Sequence, residues 1–72
     1  MKDFSQVFME LRKEKKVSQK EIGALLGISE RAVRYYETAE RRPDFEGLLK
    51  LGEYFDVSLD YLVGWSDNRR RR

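Results

Sequence analysis

The chain has 72 residues, 15 Lys/Arg against 13 Asp/Glu for a net charge of +2, and neither Cys nor His. That length allows one domain with a single small core, and the missing Cys and His exclude zinc fingers, disulfide staples, thiol chemistry and imidazole acid–base catalysis, so no metal, cofactor or enzymatic role is expected. No apolar run approaches the ~18 residues of a membrane span and the N-terminus lacks a signal-peptide core, so the expected setting is the cytoplasm, with no membrane partner.

In chain order the sequence reads as short helices without strand alternation. Asp3 and Gln6 form a capping box, after which Phe4, Val7, Phe8 and Leu11 recur at helical spacing to about Lys16. A second capping box, Ser18 and Glu21, opens a helix with Ile22, Leu25 and Leu26 on its apolar side, stopped by Gly27. Ser29 caps the next helix, 30–37, whose inner positions are Ala32, Val33 and Tyr36. Residues 38–43 lose the periodicity and read as a polar loop. Asp44 then caps a helix carrying Phe45, Leu48, Leu49, Leu51 and Phe55, in which Gly47 and Gly52 are expected to permit close helix approach. Ser58 caps a short last helix with Leu59, Leu62 and Val63, ended by Gly64. Residues 1–66 are expected to form the domain and residues 67–72 a basic, disordered tail.

Charge is unevenly spread. Residues 1–43 hold ten Lys/Arg against seven Asp/Glu, a net +3, whereas residues 44–68 set Lys50 against six carboxylates, a net −5. This asymmetry points to a polyanionic partner for the N-terminal half. Residues 1–68 together carry −2, so attraction has to come from a few placed groups and binding should be selective more than sticky.

Within 19–38 the positions that would seal two helices against each other are apolar: Ile22, Leu26, Ile28, Val33 and Tyr36. Gly23 sits where a larger side chain would hold the helices apart, and Gly27 takes the turn. A pair of short helices on this pattern is a helix-turn-helix, which lays its second helix across the major groove of double-stranded DNA.

The runs Ser18-Gln19-Lys20-Glu21-Ile22 and Leu26-Gly27-Ile28-Ser29, then Glu37, Pro43, Leu48-Leu49-Lys50-Leu51 and the closing Val57-Ser58-Leu59-Asp60-Tyr61-Leu62-Val63-Gly64, extend this reading. Over residues 4–64 the chain resembles the Cro/phage-repressor helix-turn-helix family, also called the XRE family. The resemblance implies an all-α, compact five-helix domain that binds a near-palindromic operator as a homodimer, usually as a repressor associated with the nucleoid. It implies DNA contacts from Gln19, at a helix N-terminus facing a phosphate, and from Ser29, Glu30, Arg31, Arg34 and Tyr35 on the recognition helix. Arg31 or Arg34 suits guanine O6 and N7, and Glu30 suits a cytosine amino group. Arg41 and Arg42 are expected on a phosphate, and Arg12 with Glu37 as a structural ion pair.

Three positions depart from that pattern: Ala39 stands where glycine is usual, the acidic Glu40 follows it where it would repel a nearby phosphate, and Glu30 is acidic at a base-facing position. Several alternatives stay open. Tyr35 either meets DNA or covers the core, and Lys13, Lys15 and Lys16 read as a solvated helix end. Trp65 either folds back on Phe4 or Phe8 or sits in a dimer interface with Leu59, Leu62 and Val63. The arginine tail either meets phosphate or is solvated. The run Arg34-Tyr35-Tyr36-Glu37 locally resembles the MerR family, whose wing and long dimerising helix are not expected here, since a full helix precedes the motif. The competing functional class is a protein-interaction module, such as an antitoxin or anti-repressor. No small-molecule ligand is evident, which leaves control by protein concentration, a partner or proteolysis.

Overall fold

The computed structural model describes residues 2–71. Met1 and Arg72, the outer ends of the expected domain and tail, lie outside them. Five helices follow in order: α1 (Phe4–Lys15), α2 (Gln19–Leu26), α3 (Glu30–Glu37), α4 (Phe45–Phe55) and α5 (Leu59–Leu62). The described residues contain no strand, and none of their helices is long and apolar enough to cross a membrane.

Each helix begins at the polar residue read from the sequence. The side chains of Asp3, Ser18, Ser29, Asp44 and Ser58 accept from the backbone N–H of Gln6, Glu21, Ala32, Gly47 and Tyr61, satisfying donors that the helix itself leaves unpaired. Such a cap is worth about 1 kcal/mol. At Asp3 and Ser18 the bond is reciprocated by Gln6 and Glu21. The bonds from the Gln6 N–H and the Ser5 hydroxyl hold the Asp3 carboxyl below its ordinary range.

The helix ends are equally local. Lys16 and Gly27 take left-handed backbone after α1 and α2. After α5, Gly64 has φ +85°, and the Trp65 and Gly64 N–H groups donate to Asp60 and Tyr61 carbonyls in a Schellman closure. A Cβ on Gly64 would collide with the Lys2 carbonyl, so this glycine also lets the backbone at Lys2 and Asp3 cross the end of α5. Of the two glycines in α4, Gly52 fits the expected role, since a Cβ there would press on Leu59 of α5. Gly47 does not: its nearest neighbours are Pro43 and Asp44 of its own approach.

The core gathers the predicted apolar faces. Phe8, Ile22, Val33, Leu51 and Leu62 are fully enclosed, with Phe4, Val7, Leu11, Val17 and Val57 around them. Phe4 stacks on Phe8, and Tyr36 meets both edge-on, which ties α3 to α1 through rings 5.4–6.3 Å apart. Leu62 therefore cannot serve in a dimer interface, because this chain's own core already covers it.

The basic tail makes contacts of its own. Arg69 donates to both oxygens of Glu14 at 2.7 Å and to the Tyr61 hydroxyl, and its guanidinium stacks on the Tyr61 ring. The backbone follows it in: Ser58 N–H donates to the Arg69 carbonyl and Ser58 Oγ to that of Asn68. Arg71 then approaches Asp56 at 3.9 Å. Asn68 and Arg69 thus lie against α1 and the start of α5.

Candidate nucleic-acid interface

The angle between α2 and α3 depends on a close backbone approach. The Ile28 N–H donates to the Gly23 carbonyl at 2.9 Å, and a Cβ on Gly23 would stand 2.8 Å from the Ile28 carbonyl oxygen. The residue that must stay small is thus packed on the turn, not on the facing side chains of α3. Val33 is buried beneath, and Ala32 and Tyr36 are half-buried beside it. Of the remaining positions, Ser29, Glu30, Arg31 and Arg34 are exposed and Tyr35 and Glu37 are half-buried.

The exposed residues restrain one another. Arg34 approaches Glu30 at 3.9 Å one turn earlier, an exposed pair of the kind worth a few tenths of a kcal/mol. Arg31 Nε donates to the Tyr35 hydroxyl at 3.0 Å, and the Arg31 and Arg41 guanidinium carbons lie 5.8 and 4.9 Å from the Tyr35 ring centroid. Ser29 Oγ is engaged as the cap. Arg42 does not join the Arg41 stack. It lines a cleft with Asp3, Pro43 and Trp65, where it also helps to lower the Asp3 carboxyl.

Arg41 is delivered to Tyr35 by the chain reversal after α3. Thr38 ends the helix, Ala39 adopts φ +66°, and the Glu40 and Arg41 N–H groups both donate to the Tyr35 carbonyl. Ala39 thus carries a conformation that glycine adopts without strain. Glu40, expected to repel a phosphate, accepts a 2.7 Å bond from the Thr38 hydroxyl.

Beneath this face lies the anticipated ion pair. Arg12 Nε and a terminal nitrogen donate to the two Glu37 oxygens, and Arg12 also donates to the Val17 carbonyl at 3.0 Å. The side chains are 17% and 8% exposed, so this pair is largely withdrawn from water. Gln19 was expected to reach outward, but its amide nitrogen donates to Glu37 at 3.1 Å. The first residue of α2 is therefore held by the last residue of α3. Tyr36 packs nearby, its phenol pushed up chiefly by burial and then by Asp44.

Two features went unread in the sequence. Lys50 of α4 shares a cleft with Arg41, Arg42, Ile28 and Tyr36, adding a cation beside the loop. On the α4 surface, Phe45 is 68% and Leu49 41% exposed. The signal for the second was present, because five large apolar residues in eleven exceed what one buried stripe needs. Leu49 adjoins Leu59, while Leu48 adjoins Val63 and Trp65. Trp65 itself is 81% exposed, which rules out its folding back on Phe4 or Phe8 as a buried ring.

Residues 8–62 match the family model described as helix-turn-helix. The chain is 37% identical over 67 residues to the uncharacterized HTH-type transcriptional regulator YqaE of Bacillus subtilis, covering 93% of this chain and 58% of that protein. It is 42% identical over 55 residues to the HTH-type transcriptional regulator AnsR of the same organism, covering 76% of this chain and 47% of that one. It thus spans about half the length of these curated relatives. Among solved structures, a transcriptional regulator from Listeria innocua superposes with a TM-score of 0.84 at 37% identity, covering 90% of this chain and 61% of that one. The P22 c2 repressor, solved in complex with a synthetic operator, superposes with a TM-score of 0.82 at 29% identity, covering 92% of this chain and all of that one.

Proposed function

The chain belongs to the helix-turn-helix family, in its Cro/phage-repressor (XRE) branch, and we propose that it is a sequence-specific double-stranded-DNA-binding transcriptional regulator acting as a repressor. The observation that carries this reading is α3 itself. It is an eight-residue helix, about 12 Å long at 1.5 Å per residue, with Val33 in the core and Glu30, Arg31 and Arg34 outside. A helix of this kind, about 10–12 Å across with its side chains, fits a major groove about 12 Å wide, and its exposed set would face the base edges.

In this reading Arg31 and Arg34 meet guanines, Glu30 discriminates for cytosine, and Ser29, Arg41, Arg42 and the second amide N–H of Gln19, the one that Glu37 does not take, fix the register on phosphates. Tyr35 stands within the same surface. The carboxylates of residues 44–68 keep the α4–α5 side away from the duplex. That side carries Phe45, Leu49, Leu59, Val63 and Trp65, an apolar surface suited to a second copy of the chain. A homodimer built there would present two recognition helices to a near-palindromic operator in the cytoplasm, at the nucleoid.

Selection of bound sequences from a random duplex pool tests the reading. The expected product is two related half-sites about one helical turn apart. No enrichment, even at low salt, would overturn it. Enrichment of a single unrepeated half-site would retain the DNA contact and remove the dimer.

A further inference from the structure

We propose that Tyr35 is a positioning residue, whose task is to preset the arginine that reads bases and the arginine that meets the backbone, and not to touch the duplex itself. The inference rests on the DNA-binding reading above. Arg31 and Arg41 come from different elements, α3 and the loop after it, yet both converge on the one Tyr35 ring. Among the described residues neither has a carboxylate within ion-pair distance. Arg34, by contrast, has Glu30.

The chemistry of the partner matters. A carboxylate orients a guanidinium but also cancels its charge and occupies its donors. A neutral phenol orients it while leaving the charge intact. Here the hydroxyl takes only Nε–H of Arg31. The four N–H groups on the two terminal nitrogens are left to form the paired bonds that guanine O6 and N7 accept. The ring face meanwhile holds Arg41 by cation–π attraction, again without neutralising it. Two long side chains that would otherwise lose rotamer freedom on binding are therefore partly ordered beforehand, which favours the complex.

Five proteins separate this from direct contact: the full chain as wild type, Tyr35→Phe, Arg31→Ala, the double variant and Tyr35→Leu. Each is titrated against the site selected by the wild type and against versions with single base-pair changes, with circular dichroism and a melting curve on each protein. Tyr35→Phe keeps the ring and removes only the acceptor. It should weaken the selected site about three- to tenfold, flatten discrimination at the base pair that Arg31 reads, and leave the salt dependence unchanged. In the Arg31→Ala background the same change should cost less than about twofold, because its client is gone. Tyr35→Leu, which removes the ring as well, should in addition lower the salt slope by about 1 as Arg41 loses its seat.

Equal losses from Tyr35→Phe in both backgrounds would mean that the hydroxyl touches DNA and would overturn the proposal. So would a Tyr35→Phe protein that binds and discriminates like the wild type, or an Arg31→Ala protein that loses nothing. A wild type that selects no site would overturn the DNA-binding reading and this inference with it, whereas the other three failures leave that reading standing.

Discussion

Ala39 and Glu37 lie two residues apart, and their side chains meet opposite circumstances. Ala39 holds φ +66°, a conformation in which an L side chain costs about 1–2 kcal/mol. Glycine would remove that strain but gain freedom in the unfolded chain, worth about 0.4–1 kcal/mol against it. Ala39→Gly should therefore stabilise the fold by about 0.5–1 kcal/mol, a rise of roughly 3–6 °C in Tm by calorimetry. Glu37 is favourably placed but costly to disturb, since it receives Arg12 and Gln19 together. Glu37→Gln should destabilise by about 3 kcal/mol in urea unfolding, mainly by leaving Arg12 charged and poorly solvated. Replacing both Arg12 and Glu37 by Met should recover much of that loss, because no stranded charge remains. The sequence pattern that suggested the ion pair carried no sign of Gln19's part in it: the two residues are 18 apart and meet only once α2 and α3 have packed.

At the scale of the helices, what could be read in advance was what neighbouring residues decide among themselves. The five N-caps and the Gly27 and Gly64 stops are relations spanning three or four residues, and all were legible. Which apolar residue of a short helix faces inward was harder. The last helix has only four residues, and its spacing left Leu62 grouped with Leu59, Val63 and Trp65. Packing separates them, with Leu62 at 0% exposure and Trp65 at 81%. Leu62→Ala should cost about 2–5 kcal/mol, most of what a domain of this size has to lose, and should appear largely unfolded by circular dichroism. Trp65→Ala should change the isolated chain's stability by less than about 0.5 kcal/mol. Its effect should appear in sedimentation, as weaker self-association.

Across the whole molecule, the reach of one side chain decides where the C-terminal segment lies. Glu14 and Arg69 are 55 residues apart, and a run of arginines offers no periodicity by which to foresee their meeting. Arg69 holds the Glu14 carboxyl below its ordinary range, chiefly through those hydrogen bonds. A lowered carboxyl contributes its stabilisation fully at neutral pH and loses it only as pH falls through the folded-state value. Residues 67–71 should thus stay ordered from neutral pH through the ordinary carboxylate range and loosen below it, which heteronuclear relaxation across an acid titration would record. Glu14→Gln should loosen the same residues at pH 7, and trypsin should then remove the tail faster. If the tail kept its order in that variant, the Tyr61 stack and the Ser58 bonds would be sufficient anchors on their own.

The chain holds one tryptophan, and its ring stands 81% exposed at the end of α5. That makes the indole a built-in optical reporter. Emission from a water-exposed indole shifts to shorter wavelength when a surface closes over it. Pairing of two chains through the α4–α5 side would move the spectrum, while a duplex arriving at α3 would leave it nearly still. Fluorescence of the unlabelled protein would therefore separate self-association from DNA binding within one titration, with no residue changed.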